Sequence, residues 1–369
     1  MTRARSVVAL CFLPGALLGQ AASTVARTGF VFESYSFGSG LAFNRISEMT
    51  IPMSITQRVA GGRLVLDLGT AFARASVTGA GSGGTITHAG LVDTDLRATY
   101  SVIPGRLIFN LVGTIPTGAT TVPDTTIPLF GATATDLLGF TTPGFGSGGG
   151  MSAGFASAFK LGQNWAIGTG ASYRYGASYV PVQGGSEMLP GGEIRGRFGI
   201  EGPFGAGKYF RGAIVYTTTA ANDLGGGEQS TIGDRVLGYV AVSMPLGTSQ
   251  LSLYGWEMRR FRGRDSDAPG TIARPRGNVL AFGTRLDRPM GSKATLSPSI
   301  EFRQELIGPG SSMELLGLLL RAGSDLRYRL TDRATGVIQA QFAFGTLHDE
   351  GASVSITGPR IGALIEWAR

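Results

Sequence analysis

Apolar and polar side chains alternate along much of this chain with a period of two. In residues 91–102, Leu96 and Tyr100 occupy even positions, whereas Asp95 and Arg97 occupy odd positions. Successive side chains of a β-strand point to opposite faces, so the pattern predicts a strand with one apolar and one polar face. The same alternation recurs in residues 193–201, 293–306 and 314–330.

Short and long connections alternate between the predicted strands. The short ones are Gly- or Pro-containing turns near residues 60–62, 104–105, 161–163, 202–207, 246–248, 290–292 and 331–333. The longer ones are polar or glycine-rich segments at residues 79–90, 116–149, 181–191, 220–231, 263–273, 308–312 and 347–353. This alternation is typical of outer-membrane barrels, which have tight periplasmic turns at one end and longer extracellular loops at the other.

The predicted strands are long, and their polar faces carry full charges, which a soluble β-sandwich rarely requires. In lipid every backbone N–H and C=O must be paired, so a membrane sheet has to close into a barrel. The short turns predict about sixteen strands if residues 28–37 form the first one, and about fourteen if that segment lies in the pore or one hairpin is misread. We therefore predict an all-β fold, a transmembrane antiparallel β-barrel of about 14–16 strands formed by residues 23–369.

Residues 1–22 have the organisation of a secretory signal peptide. Arg3 and Arg5 form a basic start, residues 7–18 are apolar, and residues 19–21 offer a small-x-small cleavage site. The apolar stretch is too short for a transmembrane helix. The chain is therefore expected to be exported, to lose this segment and to reside in the cell outer membrane.

Composition narrows the possible chemistry. The sequence contains one cysteine, Cys11, inside the predicted signal peptide, so disulfides, thiolate metal sites and a cysteine nucleophile are not expected. The net charge of +7 comes from dispersed residues without a run of Lys or Arg, so no nucleic-acid partner is expected. The only histidines are His88 and His348, and no metal or other cofactor is predicted.

Residues 202–209, GPFGAGKY, come within one residue of a phosphate-binding loop, with Tyr209 where Ser or Thr is needed. Such a loop requires a strand before it and a helix after it. Both flanking segments have period two instead, EIRGRFGIE before and YFRGAIVYTTT after. We therefore predict a hairpin turn on the periplasmic side, with Lys208 in solvent.

Three segments resemble bacterial outer-membrane channel proteins: ESYSF, LVDTDLRATYSVIPGRLIFNLVGTIPTG and DLLGFTTPGFGSGGG. They are similar to porin-like proteins grouped with meta-pathway (phenol-degradation) outer-membrane proteins and, more distantly, to FadL-type transporters. The resemblance implies a channel for passive uptake of small solutes, hydrophobic ones included. It also implies contact with outer-membrane lipid and with the barrel insertion machinery, which usually reads a terminal aromatic residue; here Trp367 lies two residues before the end. Large porins often form trimers, so a homo-oligomer is a further expectation.

If the apolar faces meet lipid, the charged faces meet the lumen of the barrel. The candidate pore-lining residues are Asp93, Asp95, Arg97, Arg195, Arg197, Arg211, Arg303, Arg321, Asp325, Arg327 and Arg329. The same polar faces add Asp67, Arg174, Glu193, Glu257, Arg259, Arg285 and Glu301. Because both signs are present with a surplus of arginine, the set fits either a solvated wall braced by ion pairs or a defined substrate site. Any selectivity is expected to favour anions weakly.

The predicted loop 116–149 is long and unusually apolar for an extracellular connection. Its large apolar side chains are Leu129, Phe130, Leu137, Leu138, Phe140 and Phe145. One interpretation is a constriction inside the barrel mouth, or a cap that receives a hydrophobic solute. The alternative is an outer loop packed on its neighbours, and the sequence leaves both open.

A barrel without a transport role is the alternative to a channel. Asp93 and Asp95, with His348 and Asp349, faintly resemble the Asp and His pairs of omptin-like proteases. The second pair is adjacent here, whereas that family spaces it. We therefore predict that the chain is not an enzyme; a structural or adhesion protein is the other non-transport alternative.

Overall fold

The computed structural model describes residues 24–79, 83–142, 144–225, 227–263, 271–273, 275–308, 313–349 and 352–369. The predicted signal peptide, residues 1–22, lies outside the described residues. Within these ranges, no helix combines the length and the apolar character needed to cross a membrane.

β-Strands dominate the described residues. In chain order they are β1 (Thr24–Phe37), β2 (Phe43–Val59), β3 (Leu64–Gly79), β4 (Thr85–Leu91), β5 (Thr94–Ile103), β6 (Leu107–Ile115), β7 (Gly150–Leu161), β8 (Trp165–Gly176), β9 (Glu193–Pro203), β10 (Tyr209–Thr219), β11 (Asn222–Asp223), β12 (Gln229–Thr231), β13 (Arg235–Leu246), β14 (Ser249–Arg260), β15 (Thr271–Ala273), β16 (Arg276–Met290), β17 (Ala294–Gly308), β18 (Glu314–Arg329), β19 (Ala334–Asp349) and β20 (Ala352–Ala368). A short helix, α1 (Ile127–Thr133), lies between β6 and β7.

Seventeen of these strands form one antiparallel sheet that closes on itself. β4 and β5 pair with β3 one after the other, so they are two halves of a single barrel strand, and the barrel has sixteen strands. Closure comes from β1, which pairs with β2 on one side and with β20 on the other. The prediction of sixteen strands is therefore confirmed, and residues 28–37 lie inside the first strand.

The seven short turns fall where the sequence predicted them, between β2 and β3, β5 and β6, β7 and β8, β9 and β10, β13 and β14, β16 and β17, and β18 and β19. The GPFGAGKY segment is one of them. β9 ends at Pro203 and β10 begins at Tyr209, and Gly205 and Gly207 have positive φ angles of 134° and 68°. Because a strand follows this turn rather than a helix, the segment lacks the architecture of a phosphate-binding loop.

Two of the predicted long loops are wrong. Residues 79–90 and 347–353 were expected to be loops, but β3 reaches Gly79 and β4 begins at Thr85, while β19 and β20 leave only two residues between them. These strand ends carry Ser, Thr and His on the outer face instead of large apolar residues. The ladder continues beyond the apolar band there, so hydrophobic alternation cannot reveal it.

The two faces of the barrel wall differ as a membrane requires. Large apolar side chains project outward and are exposed, for example Phe109 at 50%, Ile214 at 55% and Ile338 at 60%. The intervening positions point inward and carry most of the charges, as in the register pair Glu301 and Arg321 between β17 and β18. An apolar exterior around a polar interior makes this chain a membrane-spanning barrel of the outer-membrane type.

The expectation that Glu257 and Arg259 face the lumen is wrong. On β14 the even positions point inward: Tyr254 donates a hydrogen bond to the inward Glu301, and Trp256 lies beneath the guanidinium of Arg303. Glu257 and Arg259 therefore project outward. Both lie near the extracellular end of β14, above the apolar band of that strand.

The barrel wall is taller on one side. β1–β3 and β16–β20 contain 14 to 17 residues each, whereas β6–β10, β13 and β14 contain 9 to 12. Near the extracellular ends of the tall strands, the outer face turns polar; Ser47 and Ser76 hydrogen-bond there across β2 and β3 at 2.8 Å. The tall side therefore extends beyond the lipid band.

Replacing Gly358 by valine should weaken the seam at which β20 meets β1. A Cβ at Gly358 would collide with the backbone carbonyl of Ser34, which cannot move without disturbing the ladder. Overpacking of this kind costs about 1–3 kcal/mol.

The measurement is the temperature at which the purified barrel unfolds, followed by circular dichroism. The control is Gly113→Val, because a Cβ at Gly113 meets no atom within 4 Å. Equal unfolding temperatures for the two variants would contradict the proposed strain at the seam.

Candidate functional site

Residues 116–149, here called the mouth loop, connect β6 to β7 and pack against the inner face of the tall wall. Of the six apolar side chains singled out in the sequence, five are buried and Phe130 is half-buried. They form one cluster with inward side chains of the strands, among them Tyr35, Phe37, Ile46, Ala73, Ala75, Val77, Leu319, Ala343, Val354 and Ile356. Because these partners point inward, the mouth loop lies inside the barrel mouth.

Aromatic contacts organise this cluster. The rings of Tyr35 and Phe140 meet edge to face at 5.3 Å between centroids. The ring of His88 lies 4.5 Å from that of Phe145 and 5.5 Å from that of Phe130. Edge-to-face pairs of this kind stabilise packing beyond simple burial. His88, one of the two histidines, therefore packs with the mouth loop.

Two buried carboxylates of the wall hold the backbone of the mouth loop. Glu33 accepts hydrogen bonds from the backbone N–H and the hydroxyl of Thr141, at 3.2 and 2.7 Å. Glu48 accepts one from the N–H of Thr142 at 2.8 Å. A buried charge is costly unless it is hydrogen-bonded, and a buried N–H needs an acceptor. The carboxylates therefore supply the acceptors that these backbone N–H groups need, and the hydrogen bonds offset the cost of burying the two charges.

Two further carboxylates act in the same way elsewhere on the wall. Glu305, on β17, accepts a hydrogen bond from the N–H of Leu137 at 2.9 Å. Asp93, in the interruption between β4 and β5, accepts two bonds from Ser147 at 2.8 Å and one from the N–H of Gly118 at 3.2 Å. Asp93, predicted to line the pore, thus ties the two ends of the mouth loop together.

Two arginines hold backbone carbonyls of the mouth loop. Arg303 donates to the carbonyl oxygens of Asp136 and Leu137, at 2.9 and 3.2 Å. Arg321 donates to the carbonyl oxygen of Leu138 at 2.8 Å and to the hydroxyl of Tyr35 at 2.7 Å. Both were candidate pore-lining residues. Their recorded hydrogen bonds instead place them behind the mouth loop, where they fasten it to the wall.

The opposite, shorter wall carries a second set of candidates. On β9 and β10, Arg195, Arg197 and Arg211 occupy inward positions. Glu193 is buried and pairs with Arg195 and with Arg235 of β13. Ion pairing braces this part of the wall, as one of the two interpretations of the sequence proposed.

Three arginines remain accessible around the lumen. Arg211 pairs with Glu201 at 2.9 Å, but both side chains are about two-fifths exposed. Arg197, at an inward position of β9, is exposed, and Arg97 on β5 is partly buried. Asp95, two residues before Arg97, accepts a hydrogen bond from Thr114 at 2.8 Å. The short wall therefore presents Arg197 and Arg211 to water inside the barrel, and Arg97 adds a cationic group from β5.

The remaining candidates lie lower on β18, toward the periplasmic turns. Asp325 is mostly buried and pairs with Arg285 of β16 at 2.8 Å. Arg327 and Arg329 are exposed, and Arg329 donates to the carbonyl oxygen of Ser292 in the adjacent turn. Of these three inward side chains, Asp325 is therefore ion-paired, whereas Arg327 and Arg329 are exposed to solvent.

The mouth loop is joined to other extracellular segments. Its Val122 bridges to Val182 in the loop between β8 and β9. Leu189 in that same loop bridges to Asp223 of β11, and β11, β12 and β15 form a small separate sheet. Sequence patterns missed this arrangement, because the segments are short and most of the pairings join residues that are far apart along the chain.

The residues considered for catalysis do not come together. β5 and β19 are separated in the ring by β20, β1, β2 and β3, and His348 pairs in register with Ser353. Residues 150–154, GMSAG, match G-x-S-x-G in letters but lie within β7 rather than at a strand-to-helix turn. Among the described residues, no group of three or more His, Cys, Asp or Glu could hold a metal ion.

Several solved structures are similar to this chain. A bacterial polysaccharide outer membrane secretin has 8% sequence identity and a TM-score of 0.49, with 95% of this chain and 100% of that chain covered. An anion-selective porin from Comamonas acidovorans has 14% identity and a TM-score of 0.43, with coverage of 95% and 99%. The CymD monoaromatic hydrocarbon channel has 12% identity and a TM-score of 0.43, with coverage of 95% and 89%.

No protein-family model matches the chain, and no curated protein matches it. These sequence identities and TM-scores are too low to carry an argument. The assignment of a closed barrel therefore rests on the strand registers of this chain. The function likewise has to be argued from the side chains of this chain.

Replacing Arg321 by methionine should loosen the mouth loop. The variant loses the hydrogen bonds to the carbonyl of Leu138 and to Tyr35, and a lost charge-assisted bond costs about 1.5–3 kcal/mol. We expect chymotrypsin to cleave at Phe130, Phe140 or Phe145 at least about tenfold faster. The measurement is the appearance of the two fragments of the folded barrel over time.

The control, Arg327→Met, alters an exposed inward arginine lower on the same strand. Equal cleavage rates for the two variants would show that Arg321 does not hold the mouth loop.

Proposed function

We propose that this chain is a passive outer-membrane channel for small polar solutes, with a weak preference for anions. One observation carries the proposal: the mouth loop is fastened to one side of the barrel, while the facing wall presents exposed arginines. A barrel of this size is too wide for wall side chains to fill, so a loop packed inside it narrows the path without closing the wall. The remaining passage is bordered by Arg97, Arg197 and Arg211.

The arrangement of charges supports diffusion rather than tight binding. Selectivity in a pore follows from the charged groups that line its narrow part. Here Glu201 accompanies Arg211, so cations exceed anions only modestly along the accessible wall. A mixed wall of this kind attracts small anions without holding them, which suits passive uptake.

Burial of the mouth loop favours polar over hydrophobic cargo. The apolar side chains that could have received a hydrophobic solute pack against the wall, and Leu129, Leu137 and Phe140 are completely buried. A binding vestibule requires such side chains to be accessible. The apolar character of the loop is therefore explained by its attachment to the wall. Hydrophobic solutes, which the family resemblance implies, are the less favoured cargo.

The remaining expectations accompany this proposal. An omptin-like protease is disfavoured because Asp93 holds the ends of the mouth loop and its recorded bonds are made to Gly118 and Ser147. Export through a cleaved signal peptide, recognition by the barrel insertion machinery and assembly into a homo-oligomer stay predictions. Each is compatible with a channel in outer-membrane lipid.

The direct test of the channel is conductance in planar lipid bilayers. We expect the purified chain to give stable single-channel steps, and deletion of residues 124–145 to enlarge them, because the deletion removes α1 and the apolar side chains that the mouth loop contributes to the buried cluster. An unchanged step size would show that the mouth loop does not narrow the passage. A folded barrel that produces no steps at all would overturn the channel itself.

Selectivity tests the role of the accessible arginines. In a salt gradient, the wild-type reversal potential should indicate weak anion preference, and the double variant Arg197→Glu and Arg211→Glu should prefer cations. A charge near a passing ion is worth about 1 kcal/mol in water, so a several-fold change in the permeability ratio is expected. The control is Arg74→Glu, which changes an exposed residue on the outer face of β3. An unaltered ratio in the double variant would exclude this wall as the selective element.

A further inference from the structure

The outer face of the barrel contains an apolar groove on the short side of the wall. It has a volume of about 500 Å³ and crosses β9, β10, β13, β14 and β16. The floor is open because Gly238 and Gly255 carry no side chain on this face, and a Cβ at Gly238 would meet no atom within 4 Å.

Strand register explains the shape of the groove. Across neighbouring strands, Ile214 pairs with Gly238, and Gly255 pairs with Phe282. Each glycine thus lies beside a large apolar side chain, and Gly238 pairs on its other side with Glu257. Phe198, Ile214 and Phe282 are each more than half exposed. These projecting side chains border the groove on both sides. A flat strand wall of a second barrel could not reach the floor between them, whereas a single flexible hydrocarbon chain could.

Polar groups lie at the extracellular end of the groove. Glu257 lines the groove and accepts a hydrogen bond from the side chain of Asn278 at 2.8 Å. Arg259 follows two residues later on the same face of β14, with its guanidinium over the ring of Phe261. Arg276 lies two residues from Asn278, and its Nε and Nη2 atoms are buried without a hydrogen-bond partner. Unpaired buried guanidinium atoms at a lipid boundary call for an anionic acceptor.

The order of these groups along the barrel indicates the ligand. From the middle of the membrane outward, the chain presents an apolar groove, then the carboxylate of Glu257, then the guanidinium groups of Arg259 and Arg276. A lipid matches this order if its acyl chain is followed by hydroxyl or amide N–H donors and then by a phosphate. Phosphorylated glycolipids with amide-linked acyl chains have this structure. Basic residues beside membrane-embedded surfaces bind lipid phosphates elsewhere in the same way.

We propose that this groove binds one acyl chain of a phosphorylated glycolipid of the lipid A type in the outer leaflet. Glu257 accepts a hydrogen bond from the hydroxyl or amide of the lipid, and Arg259 and Arg276 bind its phosphate. The site lies on the outside of the barrel and is independent of the proposed passage for solutes.

Native mass spectrometry of the full barrel in detergent, with purified lipid A added, tests the proposal. We expect the wild-type chain to retain one lipid A molecule. Gly238→Leu fills the groove floor and Arg259→Gln removes a phosphate contact, so each should weaken retention about tenfold or more. The control Gly113→Leu adds the same side chain to another open position on the outer face and should bind as the wild type does. Unboiled gel mobility verifies that each variant is folded.

Three outcomes would overturn the proposal. Retention by Gly238→Leu equal to that of Gly113→Leu would show that the groove is not occupied. Retention unaffected by Arg259→Gln would remove the phosphate contact. Equal retention of phosphatidylglycerol, which has a phosphate but no amide linkage, would show that the site does not recognise the glycolipid.

Discussion

Pairing of every backbone group that faces lipid is the constraint on which this structure depends. An unpaired N–H or C=O in hydrocarbon costs several kcal/mol, so the sheet cannot end in an open edge. The seam between β1 and β20 removes that edge, and sixteen strands follow from the alternation of short turns and loops. Closure also fixes which side chains meet lipid and which meet the lumen, because neighbours along each strand point to opposite faces.

Closure at this size creates an interior that wall side chains cannot fill. The chain fills one side of it with the mouth loop, whose backbone would otherwise enter the barrel with unpaired polar groups. Glu33, Glu48 and Glu305 supply acceptors for its N–H groups, and Arg303 and Arg321 supply donors for its carbonyls. Buried charges are thus used to dock irregular backbone, which explains why so many ionised side chains are tolerated away from bulk water.

The sequence predicted those parts of the fold that are encoded by neighbouring residues. Period-two alternation and Gly or Pro turns suffice for the strand number and the turn positions. The alternation wrongly predicted that Glu257 faces the lumen. Gly238 and Gly255 carry no side chain, so the outer face of β13 and β14 shows no clear apolar pattern in the sequence. Sequence patterns also cannot find the anchors of the mouth loop, since Thr141 and its acceptor Glu33 are 108 residues apart. Only the closed barrel brings such residues together.

The arginines show why a charged inner face cannot be interpreted position by position. Arg197 and Arg321 are the same residue type on inward positions of alternating strands, and the sequence around each supports the same role. The docked loop gives them different surroundings. Arg321 lies behind the loop and donates a hydrogen bond to the carbonyl oxygen of Leu138, whereas Arg197 is exposed on the facing wall. The loop docks on the tall side, where inward side chains such as Ala73, Ala75 and Leu319 offer it a surface of small and apolar residues. Docking of the loop therefore distinguishes Arg321, which fastens the loop to the wall, from Arg197, which is exposed.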